Sequence, residues 1–420
     1  MRCGLIILCL TTLIAEVQAQ NARPFAMSAT ASQAIPGQVP LYQQNSASFP
    51  LQAIASDVDV ISIFPEHLGF PVDLFLASQT PVATHPWTIQ VTALANAAKQ
   101  TGKPISLQLA LTRDYMVSKA YEVNGVLKLD RTWAPHCYDV SSPLGTVVGD
   151  SYVNYVRWVT NLFQPKYLVV MAEVNLYFTA CGRDTAAWRA LVNIERTAYD
   201  TVKASAPSMI VFPSIKLEEL YENSLNGFDV AQYNALVNLK RDRFGISTYP
   251  FGLAANPYQL PADYLSRVKV RYPQEQRMII AETGWNSSSL AISYQGTCFP
   301  SLVYSETSFA AAYLLHVLYY SYVNNFDMVT WWSDRDLIET SVMGTCYAPA
   351  PPGSGTCGGN AWCLSMAAFQ GEYSAFWVAP QAELVYKVFG AMGIRTYSGA
   401  VKPELMNWWS LFRAIPMATP

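Results

Sequence analysis

The chain has 420 residues with a net charge of −3, and charged residues make up only 14% of it. This weakly acidic balance, with a pI of about 5.9, gives no electrostatic footprint for binding nucleic acid or an anionic membrane surface. We therefore expect a partner that is uncharged or weakly charged.

The first residues have the pattern of a secretory signal. Arg2 supplies a positive end, Leu5–Ile14 an apolar core, and Val17-Gln18-Ala19 a small-residue cleavage site. We place the cleavage after Ala19, so that a signal peptide spans residues 1–19 and one domain spans residues 20–420. The apolar run is too short to span a bilayer, and no later stretch is long enough. We expect a secreted or periplasmic monomer without a membrane anchor.

The 8 cysteines include Cys3 and Cys9 in the signal, so six remain after cleavage. An even number in an oxidising compartment predicts disulfides, although six cysteines allow many pairings. Our first choice is Cys137 with Cys181, because each falls in a loop after a predicted strand. The four histidines are scattered without metal-ligand spacing, so we predict no metal and no cofactor.

Short apolar runs bounded by turn residues predict eight strands. In chain order these are Phe25–Ala29, Val58–Phe64, Ile105–Leu111, Leu168–Glu173, Met209–Pro213, Phe244–Tyr249, Met278–Glu282 and Met328–Ser333. The helices predicted between them are Pro86–Thr101, Asp150–Phe163, Thr185–Ala204, Asp229–Arg241, Pro261–Arg271 and Ser305–Asn324, with a last helix near Ala382–Met392. This alternation predicts an α/β fold, a single (β/α)8 TIM barrel.

Three of the loops that follow predicted strands are long: Thr112–Val148, Asn286–Tyr304 and Asp334–Pro380. In a (β/α)8 barrel the loops after strands lie on the face that carries the active site, and long loops are usually functional. The six remaining cysteines fall in loops of this kind. We expect disulfides to hold these loops in place.

Two glutamates each end an apolar strand. Glu282 follows Met278-Ile279-Ile280-Ala281 and precedes Thr283-Gly284-Trp285, and Glu173 follows Tyr167–Ala172. Such strand ends face each other across the mouth of a barrel, and two carboxylates that flank one bond are the apparatus of glycoside hydrolysis. A structural role as buried ion-pair partners is the alternative for both residues.

Aromatic residues surround the two glutamates in the predicted fold. Tyr249 ends the sixth strand, where its hydroxyl is expected to donate a hydrogen bond to the Glu282 carboxylate. Trp285, Trp331 and Trp332 are candidates for stacking on a sugar ring, which has apolar C–H faces. Because neighbours on a strand point to opposite faces, only one of Trp331 and Trp332 is expected to face the sugar.

The arrangement resembles the clan A glycoside hydrolases. Ser247-Thr248-Tyr249-Pro250-Phe251 followed by Ala281-Glu282-Thr283-Gly284-Trp285 is similar to the family 53 endo-β-1,4-galactanases in particular. The resemblance implies a retaining enzyme with Glu173 as acid/base and Glu282 as nucleophile. It also exposes a departure, because Ala172 stands where the clan usually has Asn. Asn175 is the candidate to replace that Asn at the sugar 2-hydroxyl.

Polar residues after the second, third and eighth predicted strands are candidates for the rim of the mouth. Glu66 and His67 follow the second strand, and Arg113 and Asp114 the third. His67 and Arg113 are proposed to contact the substrate, with rim salt bridges as the alternative. Asp334, Arg335 and Asp336 carry the same two interpretations. The sequon Asn286-Ser287-Ser288 adjoins Glu282, where a glycan would block access, and we interpret it as chance.

The sequence thus predicts a secreted retaining glycoside hydrolase whose partner is a carbohydrate. Three alternatives stay open. They are a non-catalytic carbohydrate-binding barrel, which the missing Asn before Glu173 would allow, a surface interaction protein that reuses the barrel, and a transglycosylase that shares the same residues.

Overall fold

A computed structural model of the chain describes residues 22–31, 51–65, 71–76, 80–113, 116–117, 119–123, 126–130, 143–183, 185–275, 277–294, 297–336, 343 and 389–418. These residues form a closed barrel of eight parallel strands surrounded by helices. The strands are β1 Ala26–Thr30, β2 Val60–Ile63, β3 Ile105–Gln108, β4 Tyr167–Met171, β5 Ile210–Lys216, β6 Phe244–Thr248, β7 Met278–Thr283 and β8 Met328–Trp331.

Each strand pairs in parallel with its neighbour in the chain, and β8 closes the barrel on β1 with Ala26 beside Met328. The alternation of side chains along a strand sends one set inward and the other toward the helices. On β7, for example, Ile279 and Ala281 pack in the barrel interior, while Met278 and Ile280 pack in the outer core. The prediction of a single eight-stranded barrel is confirmed.

The helices described in the structure are α1 Leu51–Ala55, α2 Pro86–Gln100, α3 Pro143–Phe163, α4 Tyr177–Cys181, α5 Ala186–Ser205, α6 Leu217–Leu220, α7 Val230–Leu236, α8 Arg267–Arg271, α9 Thr307–Val323 and α10 Pro403–Arg413. Some of them begin with a side-chain cap: the Thr185 side chain accepts from the Trp188 amide, and the Asp229 side chain from the Gln232 amide. None of these helices is long and apolar enough to cross a membrane.

The C-terminal helix differs from the prediction. The described part of Ala382–Met392 contains a turn at residues 389–391 rather than a helix, and the chain instead forms α10 further on. Helix α10 packs against α9 and buries Leu405, Trp409 and Phe412, since these residues recur at helical spacing. Two further predicted helices are shorter than expected. Within Asp229–Arg241 only α7 is helical, and within Pro261–Arg271 only α8 is helical.

Two of the long loops contain regular structure. The loop after β3 forms two hairpins, Thr112–Arg113 with Met116–Val117 and Lys119–Val123 with Val126–Asp130. The loop after β7 forms one hairpin, Ser288–Tyr294 with Thr297–Glu306. Most of the loop after β8 lies outside the described residues, as does Cys137, so its pairing with Cys181 stays a prediction.

Candidate active site

The two strand-end glutamates lie at the C-terminal end of the barrel. Glu282 is the penultimate residue of β7 and is 7% exposed. Glu173 follows β4 and is half-buried. Strands β5 and β6 separate β4 from β7 in the barrel order. The two carboxylates therefore approach the mouth from strands that are not neighbours.

Tyr249 is hydrogen-bonded to one of the two glutamates. Its hydroxyl donates a hydrogen bond to Oε2 of Glu282 over 2.9 Å, as the sequence predicted. Burial raises the pKa of Tyr249 well above its usual value of 10, and the nearby negative charges of Glu282 and Glu173 raise it further. The phenol therefore stays protonated and keeps donating to Glu282 at any ordinary pH.

Glu173 has an unusual backbone conformation. Its φ of 47° and ψ of 41° place it in the left-handed region, which a residue with a side chain occupies only when its surroundings hold it there. The Glu173 amide donates to Oγ of Ser214 on β5 over 3.0 Å, which fixes this turn. Backbone strain of this kind is concentrated at functional sites.

Glu218 is a residue of the site that sequence analysis missed. It is 4% exposed on α6, and its Oε1 accepts hydrogen bonds from the Tyr249 amide at 2.8 Å, the Thr248 hydroxyl at 2.7 Å and the Tyr264 hydroxyl at 2.8 Å. Glu218 thus fixes the end of β6 and positions the backbone of Tyr249. Only the acidic pair at the start of α6 hinted at this role.

The residues of the Thr283-Gly284-Trp285 motif pack within the barrel wall. The Thr283 hydroxyl donates to the Thr248 carbonyl over 2.8 Å, and a side chain at Gly284 would meet the Trp332 carbonyl at 2.8 Å. Trp285 is 1% exposed, and its indole nitrogen donates to Oγ of Ser305 over 3.0 Å. The ring of Trp285 is buried in the outer core, and its predicted contact with the substrate stays a prediction.

Of the two tryptophans that end β8, only one faces the barrel mouth. Trp331 is fully buried in the outer core and donates to the Met392 carbonyl over 2.7 Å. Its predicted contact with the substrate stays a prediction. Trp332 packs in the inner cluster. Its buried indole nitrogen has no hydrogen-bond partner among the described residues, which leaves a donor for a ligand hydroxyl.

Phe64 and Phe389 add to the aromatic lining of the mouth, and sequence analysis singled out neither. The Phe389 ring lies 5.1 Å from that of Tyr249 and 6.0 Å from that of Trp332, and Phe64 lies 6.3 Å from Trp332. Phe389 comes from a segment more than fifty residues after β8. No sequence pattern relates Phe389 to the site.

Asn175, the candidate to replace the missing Asn before Glu173, has its side-chain amide hydrogen-bonded within the fold. Its amide nitrogen donates to the Lys216 carbonyl at 2.9 Å and to the Gln232 side chain at 2.8 Å, and its oxygen accepts from the Lys216 amide at 2.7 Å. With 1% exposure and these three bonds, Asn175 joins β4 to β5. Its predicted contact with the substrate stays a prediction.

Four of the rim candidates have no described side chain. Glu66, His67 and Asp114 lie outside the described residues, and for Arg113 only the backbone is described, at the start of a hairpin. Their roles stay predictions.

The two aspartates that follow β8 form ion pairs. Asp334 pairs with Arg335 at 3.5 Å, and Asp336 pairs with Lys402 at 2.6 Å. Burial raises the pKa of the Asp336 carboxyl to about 6, with Lys402 opposing the shift. Asn286 of the sequon is fully buried, so the folded chain does not present it for glycosylation.

No protein-family model matches the chain, and no curated protein matches it significantly. Solved structures do match it. The exo-β-1,4-mannosidase from Opitutaceae bacterium strain TAV5 gives a TM-score of 0.55 at 12% identity over 93% of this chain, which spans 59% of the mannosidase's length. A family 5, subfamily 18 protein from Streptomyces cattleya, in complex with Manβ1-4GlcNAc, gives 0.55 at 14% identity over 94% of this chain and 82% of that one.

The family 53 catalytic domain from Ignisphaera aggregans also matches, with a TM-score of 0.49 at 14% identity over 87% of this chain and 88% of that one. The structural neighbours are clan A glycoside hydrolases. At such low identity the likeness shows the fold, which is the closed barrel described above.

Proposed function

We propose that the chain is a retaining glycoside hydrolase that cleaves β-glycosidic bonds in a polysaccharide or oligosaccharide. The observation that carries the proposal is the hydrogen bond from Tyr249 to Glu282, made at a barrel mouth where the charge of Glu173 acts on the same phenol. The fold that the chain shares with clan A hydrolases supports the proposal.

Glu282 acts as the nucleophile in the first step. One of its carboxylate oxygens forms a bond to the anomeric carbon while the bond from that carbon to the leaving oxygen breaks. Glu173 donates its proton to the leaving oxygen, so the departing sugar leaves as an alcohol. The Tyr249 hydroxyl holds the attacking carboxylate in one orientation throughout.

Water completes the reaction in the second step. The Glu173 carboxylate takes a proton from a water molecule, and the oxygen of that water displaces Glu282 from the anomeric carbon. Two inversions at the same carbon give overall retention. The aromatic lining from Trp332 and Phe389 offers apolar faces against which the sugar ring packs.

A non-catalytic carbohydrate-binding barrel is the second candidate. Two observations favour it: Ala172 precedes Glu173, and the Asn175 amide is hydrogen-bonded to Lys216 and Gln232. No Asn is then available from this segment to bind a 2-hydroxyl. This candidate predicts retained carbohydrate binding without hydrolysis.

The test is product release from a panel of β-linked polysaccharides and aryl glycosides, with the wild type beside Glu282→Gln. Hydrolysis by the wild type that falls by at least about 1,000-fold in the variant is the expected result. Undiminished hydrolysis by Glu282→Gln overturns the proposal. Silence of the wild type on every substrate, with binding retained, favours the binding barrel.

We also propose that the chain is exported after cleavage of the signal behind Ala19. N-terminal sequencing of the protein recovered outside the producing cell tests this. A first residue of Gln20 supports it, and a protein retained inside the cell with residues 1–19 intact contradicts it.

A further inference from the structure

Two tyrosines on the rim of the active face stand out by their exposure. Among the described residues, Tyr258 and Tyr304 are the most exposed aromatic side chains, at 68% and 59%. The Phe309 ring lies between them, 6.3 Å from Tyr258 and 5.9 Å from Tyr304, with both contacts edge to face. We call Tyr258, Tyr304 and Phe309 the rim aromatic group.

The backbone beneath these rings is held by hydrogen bonds. Oδ1 of Asn256 accepts from the Tyr258 amide at 3.1 Å and caps the short helical turn Pro257–Gln259. Ser305, next to Tyr304, exchanges two hydrogen bonds of 2.9 Å with the Ser289 hydroxyl across the hairpin. The backbone that carries the exposed rings is therefore held in place, which lowers the entropy lost when a ligand binds.

The rim aromatic group lies on the connections that follow two strands of the site. Tyr258 follows β6, which ends one residue before Tyr249. Tyr304 and Phe309 follow β7, which carries Glu282, and Phe309 lies in the first turn of α9. In a (β/α)8 barrel these loops share the active face.

Aromatic contacts lead from the mouth outward to the rim. Phe251 lies 6.4 Å from Tyr249 and 6.2 Å from Trp285, measured between ring centroids. Trp285 in turn donates to Ser305, beside Tyr304. The rim is therefore joined to the mouth by packed side chains.

We propose that the rim aromatic group is a second carbohydrate-binding site, which holds a polysaccharide chain beside the mouth. For the class of ligand this inference rests on the proposed function. Ring faces stack on the C–H faces of sugars, and the Tyr hydroxyls with the exposed Glu306 carboxylate can hydrogen-bond sugar hydroxyls. Three rings are too small a patch for a stable protein interface, and Glu306 repels an anionic membrane.

Binding is tested in the Glu282→Gln chain, so that hydrolysis does not remove the ligand. Migration is measured through native gels that contain soluble β-1,4-mannan, β-1,4-galactan or β-1,4-xylan. The double change Tyr258→Ala and Tyr304→Ala is expected to weaken the binding of a retarding polymer about tenfold or more. The control Tyr397→Ala removes another exposed tyrosine and should migrate like its parent.

Two results of this assay overturn the inference. One is a double variant that is retarded as strongly as its parent, and the other is a parent chain that none of the polymers retards. This readout does not require catalysis. Retardation that the double change weakens supports the inference even if the wild type hydrolyses no substrate of the panel, a result that overturns the proposed function alone.

Kinetics give a second readout in the catalytically intact chain. The double variant should lose about tenfold in kcat/KM on the polymer while hydrolysing a small aryl glycoside at the wild-type rate. An unchanged aryl glycoside rate also shows that the variant is folded. Equal losses on both substrates overturn the inference, because they place the effect at the mouth.

Discussion

The hydroxyl of Tyr249 donates to Oε2 of Glu282 over 2.9 Å, and this bond joins the end of β6 to the end of β7. Behind it, the Tyr249 amide donates to Glu218 over 2.8 Å. The same residue is thus held by one carboxylate and orients another. Substitutions at Tyr249 and at Glu218 separate these two contacts.

Replacing Tyr249 with Phe removes the hydrogen bond to Glu282 and keeps the ring contacts with Phe251 and Phe389. Hydrogen bonds to charged groups contribute about 1.5–3 kcal/mol, so kcat should fall about 10- to 100-fold. Steady-state kinetics on the most active substrate of the panel measure this, with circular dichroism as a check on folding. An unchanged kcat would show that the bond has no role in the reaction.

Glu218→Ala and Glu218→Gln should differ. Ala leaves the buried donors of Tyr249, Thr248 and Tyr264 without their acceptor, which costs about 1–3 kcal/mol for each donor that stays unpaired. Gln keeps the oxygen that accepts these bonds. We expect urea unfolding to show a large loss of stability for Ala and a small one for Gln, with kcat following the same order. Equal effects of the two changes would contradict a positioning role.

Lys402→Met should be strongly destabilising, because it leaves the fully buried carboxylate of Asp336 without its partner at 2.6 Å. Breaking a buried ion pair in this way typically costs about 3–5 kcal/mol. Lys240→Met is the matched control: it removes an exposed pair with Asp200, and a change below about 1 kcal/mol is expected. Similar losses for both variants in denaturant titrations would argue against the importance of the buried pair.

Glu195 should make stability depend on pH. Burial raises the pKa of its carboxyl in the folded chain from 4.5 to about 8, whereas the unfolded chain keeps the ordinary value. Between these values the folded state binds more protons, so the free energy of unfolding falls as pH rises. Glu195→Gln lacks this term, and its advantage over the wild type should grow by on the order of 1 kcal/mol per pH unit.

Urea unfolding at pH 5, 6, 7 and 8 checks the prediction for Glu195. The exposed Glu404→Gln serves as the control and should follow the wild type at every pH. A constant difference between Glu195→Gln and the wild type across this range would contradict the buried, protonated state of Glu195.

The barrel itself could be predicted from the sequence, because each strand is a local apolar run and the order of βα units dictates the parallel topology. The same logic predicted the contact between Tyr249 and Glu282, since the ends of neighbouring strands must meet. It also gave one inward and one outward tryptophan at the end of β8, through the alternation of side chains.

Residues fixed by distant packing could not be predicted. Glu218 acts through a carboxylate that points back at β6, and Phe389 arrives from a segment far along the chain. The hydrogen-bond partners of Trp285 and Asn175 could not be predicted either, because the positions of these residues next to the two glutamates suggested the substrate. Their partners, Ser305, Lys216 and Gln232, come from elements that the motif does not contain.

The most direct test of the central claim is to trap the covalent intermediate. The chain is incubated with an activated 2-deoxy-2-fluoro glycoside of the sugar that the panel identifies, digested, and mapped by mass spectrometry. The account predicts a sugar attached to Glu282 and no adduct in Glu282→Gln. Hydrolysis without any adduct and with inversion at the anomeric carbon, or an adduct on another carboxylate, would contradict it.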